Sequence, residues 1–269
     1  MADPRAGGKG GIGMTKSRIR IYVLVALNMF GALAFFWPFV LPAGIGSEAA
    51  HDADAPFILL GLLALLGGLL FVELGRHGMG PKVVALIGVL GAAMVALRLP
   101  GFIAGFSAMF IIVLVAGNAF GPGFGFLLGA VGMFASGLFV GGLGPWLPFQ
   151  MVAVGWMGMG AGLLPKQPQR SRILWLAAYG FVTGYVFGAI MNLWTWPFLT
   201  AGTEISWSPG AGTVENLRHY FTFYAATSFV WDTFRAIGNA AMVLILGKPL
   251  LSALDRAARR MNLQVAPSS

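Results

Sequence analysis

The sequence predicts an all-α fold: a polytopic membrane helical bundle of six to eight transmembrane helices, with both termini cytoplasmic. Three observations lead there. Of 269 residues, 58% are hydrophobic and only 10% charged, far below the roughly one-quarter charged residues of soluble domains. The apolar residues gather into runs close to the ~20 residues a bilayer requires. Most basic residues stand at the ends of those runs, on one side of the alternation, as the positive-inside rule demands. The net charge of +8 is therefore a topological signal and gives no ground for nucleic-acid binding.

The apolar runs cover 19–42, 57–75, 82–98, 102–118, 122–140, 147–164, 172–192 and 225–247. The first is longer than a ~7–15-residue signal core and carries Trp37 and Pro38 in place of a small-residue cleavage site, so it reads as a retained span. Segments 82–98 and 102–118 are short enough to form one re-entrant hairpin instead. Any even number of crossings preserves the orientation. The predicted division is a cytoplasmic tail over 1–18, a single bundle domain over 19–247 and a second cytoplasmic tail over 248–269.

If all eight runs cross, fourteen of the seventeen Lys and Arg residues lie on one side. They occupy the N-terminal tail, the loops at Arg76–Lys82 and Lys166–Arg172, and the tail from Lys248 to Arg260. That side is then cytoplasmic. The opposite loops hold Glu48, Asp52, Asp54, Glu204 and Glu215. Arg98 stands at the outer end of its segment, where snorkelling toward water is the simple expectation.

The most informative stretch is Gly141-Gly142-Leu143-Gly144-Pro145-Trp146-Leu147-Pro148-Phe149-Gln150-Met151, which interrupts two apolar runs with backbone that cannot remain helical. Lipid does not tolerate such backbone unless protein or a cavity surrounds it. A broken segment of this kind is a sequence pointer to a membrane binding site. A second motif on the same side, Asn192-Leu193-Trp194-Thr195-Trp196-Pro197-Phe198, caps the seventh run. An interfacial aromatic belt would account for its tryptophans but not for Asn192 and Pro197. In the last run, Trp231 precedes Asp232 and Arg235 at i,i+3, with Asn239 a turn further on. Ionisable residues in a span are costly and mark either function or a register-fixing ion pair.

Gly121, Gly125 and Gly129 recur every four residues, as do Gly180, Gly184 and Gly188, giving smooth ridges suited to close helix packing. The first ridge lacks the Gly-Lys-Ser/Thr ending of a phosphate loop, and the chain has no Walker motif. Cysteine is absent, which removes disulfides, thiolate metal sites and cysteine nucleophiles. His51, His77 and His219 lie in different loops. The His51, Asp52 and Asp54 group reads as an acidic external loop and not as a metal site. No catalytic constellation is found, so the chain is not expected to be an enzyme or to carry a cofactor.

The stretch Phe120 to Pro165 resembles the substrate-binding S components of energy-coupling factor (ECF) vitamin transporters. The likeness runs through Phe124-Gly125-Phe126-Leu127-Leu128-Gly129-Ala130, Ala135-Ser136, the Gly141–Met151 run and Gly160-Ala161-Gly162-Leu163-Leu164-Pro165. It extends more weakly to Asn192–Phe198 and Trp231–Asn239. Within the family, the chain is most similar to the cobalamin-type members of high-GC Gram-positive bacteria. The resemblance implies a small subunit of the bacterial plasma membrane that captures a vitamin from outside. It also implies inward release by toppling, in a complex with a transmembrane coupling subunit and two cytoplasmic ATPases. Family members usually have six helices, against eight runs here. Their first helix usually carries an Ala-x-x-x-Ala contact for the coupling subunit; the nearest equivalents here are Asn28 and Ala32, with Gly31 beside them.

The expected substrate contacts are Trp146, Pro148, Gln150, Met151, Asn192, Trp194, Trp196, Phe198, Trp231, Asp232, Arg235 and Asn239. Aromatic faces suit a large conjugated ring and the amides suit its polar periphery. A corrin fits that description, and so does a flavin such as riboflavin. A structural or assembly membrane protein that binds no small molecule is the alternative from another class.

Overall fold

The computed structural model describes residues 9–40, 54–74, 80–99, 106–165, 167–199, 203–208 and 210–260, and among them every regular element is helical. In chain order these are α1 (Lys9–Val40), α2 (Ala55–Leu74), α3 (Gly80–Arg98), α4 (Met109–Phe120), α5 (Pro122–Ser136), α6 (Leu147–Leu163), α7 (Gln169–Thr195), α8 (Thr213–Thr227) and α9 (Phe229–Arg260). Helices α1, α2, α3, α5, α7 and α9 are long and apolar enough to cross a membrane, while α4 and α6 are shorter. His51, Asp52 and His77 lie outside the described residues.

Side-chain contacts show that these helices run alternately up and down. Trp37 near the end of α1 bonds Asp54 before α2 (2.9 Å), and Arg98 at the end of α3 reaches Ser136 at the end of α5 (3.0 Å). At the opposite end, Arg172 opening α7 meets Asn118 closing α4. The first of these ends, where α1, α3, α5 and α7 finish, is called the rim below.

Helix α4 has only 12 residues, about 18 Å at 1.5 Å per residue, too short for a ~30 Å hydrocarbon core. It survives because it stands at the centre. Met109 to Gly117 are all buried and only the last three residues are half-buried, so most of the helix meets protein and not lipid, the setting in which short or irregular backbone is stable at that depth.

Glycine sets the spacing around it. Gly117 of α4 and Gly125 of α5 both face the Gly158 carbonyl of α6, and Gly158 in turn faces the Gly125 carbonyl. Gly129 lies on the Val154 backbone, and Gly162 on the α4–α5 turn at Gly121. That turn needs glycine for its own geometry, since Gly121 has φ +95°, open to glycine and strained for other residues. Helix α3 joins by a different device: Met94 fills the space over Gly132.

Helices α1 and α2 form the outlying pair. Gly31 of α1 lies against Val152 and Trp156 of α6. Phe35 packs edge-on to Phe149 at 5.1 Å, and Asn28 donates to Met159 Sδ at 3.4 Å; Ala32 is half-buried. Between α2, α5 and α6 remains an apolar cavity of about 160 Å³, lined by Leu66, Leu70, Leu127, Phe134 and Met151 among others.

Two boundaries differ from the sequence expectation. Helix α4 starts at Met109 instead of near 102. Helix α9 continues through Lys248 and Pro249 to Arg260, because basic residues beyond an apolar run end its burial in lipid without ending its helix. Helix α8 lies in a stretch expected to be loop.

The glycine junction yields a stability prediction. A methyl at Gly158 lands on backbone atoms of Gly125 that cannot rotate away, so Gly158→Ala should cost about 1–3 kcal/mol of overpacking and lower the thermal midpoint in detergent by several degrees. Gly88→Ala, where nothing lies within 4 Å, should leave that midpoint unchanged. Equal midpoints for the two variants would show that the α5–α6 contact is looser than described.

Candidate functional site

At the rim, α5 does not simply stop. Its last turn widens into a π turn over Gly137–Gly141, a local unwinding often found at functional sites. Gly142 follows with φ +75°, turning the chain toward α6. Arg98 holds this unwound end from beneath. Its guanidinium donates to Ser136 Oγ at 3.0 Å and Met133 Sδ at 3.2 Å. It also packs against Gly141, where a Cβ would come within 2.7 Å of Nη2. Arg98 is only 6% exposed. It turns into the bundle instead of snorkelling outward, because the last turn of α5 offers it Ser136 Oγ and Met133 Sδ as acceptors.

Helix α6 then begins at Leu147, with the Leu147 amide bonded to Gly144 O and the Gln150 amide to Trp146 O, both 3.0 Å. Pro148 is buried in the first turn, where its missing N–H costs nothing. The Trp146 ring covers Gly144 and meets Trp194 of α7 edge-to-face at 6.3 Å. Phe149 approaches the same indole at 6.4 Å. Trp194 Nε1 is buried and has no hydrogen-bond partner among the described residues. Gln150, one turn after Trp146, is half-buried. A large aromatic face, an unspent indole donor and an amide therefore converge where α5 breaks.

Other expected residues stand elsewhere. Met151 is buried and lines the cavity against α2 and α5. Asn192 exchanges hydrogen bonds with Ser228 at 2.8 and 3.0 Å, fastening α7 to the α8–α9 junction. Trp196 is buried and donates to Ile205 O at 2.9 Å. It stacks with Trp207 and Tyr220 at 5.4 and 5.0 Å. Phe198 is half-buried beside it, and Trp231 is exposed.

Asp232, Arg235 and Asn239 sit on the seam between α7 and α9. Gly184 and Gly188 open the groove that receives Ala236 and Asp232. Arg235 pairs with Asp232, donates to Gly184 O at 3.2 Å and lies 5.0 Å above the Phe187 ring. Tyr224 of α8 donates to Asp232 Oδ2 at 2.9 Å, and Asn239 to Gly180 O at 3.2 Å. Burial pushes the Tyr220 and Tyr224 phenols well above their ordinary range, with Asp232 reinforcing both, so each remains an O–H donor at neutral pH. The structure thus gathers Trp146, Gln150 and Trp194 at the rim and places the charged pair in a helix seam.

Sequence reasoning missed Arg98, Ser136, Tyr224 and Ser228 as partners of these groups. The signal for Arg98 was its place opposite the Gly141 break; nothing local marked the tyrosine or the serines. His219 bonds Glu215 at 3.2 Å and Ser206 O at 2.9 Å, apart from the Asp232 pair. Among the described residues no cluster of His, Cys, Asp and Glu is suited to a metal.

The seam also makes a test. Asp232→Ala or Arg235→Leu alone strands a buried charge and should cost about 3–5 kcal/mol in SDS unfolding, whereas the double variant should cost less than the sum. Strict additivity would show that the two charges serve separate interactions.

A family model, the substrate-specific component of ECF transporters, matches residues 82–247. No curated protein matches, and no solved structure matches. The matched segment runs from α3 into α9 and contains six helices that alternate between the two ends, α3 to α7 and α9. That accounts for the six-helix plan with eight apolar runs, since α1 and α2 both precede the match. The chain belongs to the family of ECF transporter substrate-specific components, and is a multi-pass membrane subunit that binds substrate for that class of transporter.

Proposed function

We propose that the protein captures a corrinoid, cobalamin or a close relative, at the rim and from outside the cell. The observation behind this reading is the convergence of Trp146, Gln150 and the buried, unpartnered Trp194 Nε1 at the broken end of α5. A broad conjugated ring stacks on indole, and peripheral amides supply the acceptor and donor that the Trp194 N–H and Gln150 amide require. The charge distribution supports the orientation, since the opposite end carries nearly all the basic residues. A flavin offers a conjugated ring as well, and the test separates the two.

The same proposal covers the partners, a transmembrane coupling subunit served by two ATPases. Helix α3, the first in the matched segment, presents Ala85, Gly88, Ala92 and Ala96 outward on one face, and nothing lies within 4 Å of the space above Gly88. Ala92 and Ala96 form an Ala-x-x-x-Ala pair. The small-residue face of α1 is occupied by α6 at Asn28 and Gly31. Helix α3 is therefore the docking helix in this reading, because small residues let a partner backbone approach closely.

Two measurements test this. Titrating the protein in nanodiscs with cyanocobalamin, riboflavin and other vitamins should give submicromolar affinity for the corrinoid, beyond about −8 kcal/mol, with Trp146→Ala and Gln150→Ala each weakening it at least about tenfold. Unaltered binding by Trp146→Ala would mean the site lies elsewhere. Ala92→Trp should abolish co-purification of the coupling subunit while leaving ligand affinity unchanged; retention of the complex would remove α3 from the interface.

A further inference from the structure

Helix α8 has two unlike faces. On one, Asn216 is buried and bonded to Ser208 and Ala211. On the same side His219 bonds Ser206 O, Tyr220 bonds Ala189 O and Tyr224 bonds Asp232. On the other, Val214, Leu217 and Phe221 follow the three-and-four spacing of one helix face and are 81%, 48% and 63% exposed. Ala225 extends this stripe. Polar groups satisfied toward protein and large apolar groups turned outward make sense only if the outer surroundings are apolar.

The position of α8 identifies those surroundings. Its tyrosines touch Ala189 and Asp232, which belong to the membrane-crossing helices α7 and α9. The helix is thus held at the level where the spans end, and does not stand free in water. One residue after α8, α9 opens with Phe229, Val230, Trp231 and Phe234, all about half or more exposed, as lipid-facing residues of a span are. The apolar stripe of α8 is continuous with that lipid-facing surface across Ser228. Arg218, at the stripe's edge and largely exposed, has the reach to place its guanidinium among lipid phosphates while its stem follows the apolar face.

We propose that α8 is an interfacial helix whose Val214, Leu217 and Phe221 face lies in the leaflet at the rim. A contiguous apolar stripe beside charged residues, parallel to no buried partner, is the pattern of helices that rest at the boundary of headgroups and acyl chains. Lipid then closes the outer side of a cap whose inner side is fastened by Asn216, His219, Tyr220 and Tyr224. This inference is independent of which ligand the rim takes.

The Cys-free chain allows a clean test by single-cysteine nitroxide labelling of the full protein in phosphatidylcholine–phosphatidylglycerol nanodiscs. Labels at Val214→Cys, Leu217→Cys and Phe221→Cys should collide with dissolved oxygen in preference to an aqueous nickel chelate, as a label at the lipid-facing Phe234→Cys does. Labels at Glu215→Cys and Thr222→Cys should show the reverse. Chelate access along the stripe would place it in water and overturn the proposal. Protection from both reagents would overturn it too, by showing that protein, a second copy or a partner subunit, covers the face.

Discussion

At the centre of the bundle no side chain separates α5 from α6. Gly125 and Gly158 present their α-carbons to each other's carbonyl oxygens, and Gly117 of α4 closes on the same carbonyl of Gly158. In lipid there is no hydrophobic gain from bringing helices together, so association rests on close packing and on weak Cα–H···O contacts that only glycine permits at this range. Much else follows from that approach. With three helices drawn together, α4 can be short and still be wrapped along most of its length. The ends of α5 and α6 are also fixed close to one another, which is why the connection between them must be tight and irregular. The break at Gly141 to Trp146 is thus a consequence of the glycine contact below it.

The seam between α7 and α9 meets the same demand with different chemistry. Gly184 and Gly188 again lower one surface, but the partner surface brings a carboxylate and a guanidinium. A buried ion pair in a membrane protein is tolerable only when every remaining donor and acceptor finds a partner. Here Tyr224 and Gly184 O add hydrogen bonds to the pair, and the Phe187 ring lies under the guanidinium. Because Tyr224 comes from α8, the seam also fixes the cap. One polar cluster sets the register of two spanning helices and anchors the segment that roofs them.

The spans, the helix break and the role of the glycine ridges were legible because each is written in residue type: apolar length, proline, and absence of Cβ. What was not legible depends on direction. Arg98 at a helix end has two ways to satisfy its charge, and only the acceptors at the end of α5, Ser136 and Met133, decide between them. Trp194 and Trp196 lie two residues apart and read as one motif, yet residues two apart on a helix point to opposite sides, and the two indoles enter different clusters. Met151 follows Gln150 immediately, and the helical step of about 100° per residue turns it to the α2 cavity. Helix α8 escaped because charged residues interrupt its apolar ones along the sequence, and its partners at Ala189 and Ser206 are backbone carbonyls.

Stiffness is distributed unevenly between the two ends. At the basic end, Arg172 makes a two-pronged bond to Asp255 at 2.7 and 3.2 Å and donates to Asn118. Asn118 in turn donates to Ala161 O at 3.1 Å, so α4, α7 and α9 are linked through charge-assisted bonds and α6 joins them through a neutral one. Among the described residues the rim shows no equivalent between α6 and α7. There Trp146 and Trp194 meet by ring contact alone, and the α5–α6 connection is a π turn and a positive-φ glycine. Ring contacts of this kind contribute about 0.5–1.5 kcal/mol, within reach of thermal opening, whereas breaking a partly buried bidentate pair costs more. Across α6 and α7 the two ends thus differ in chemistry, with ring contact at the rim and ionic and amide bonds at the basic end, while near the rim the buried Asp232–Arg235 pair holds α7 to α9.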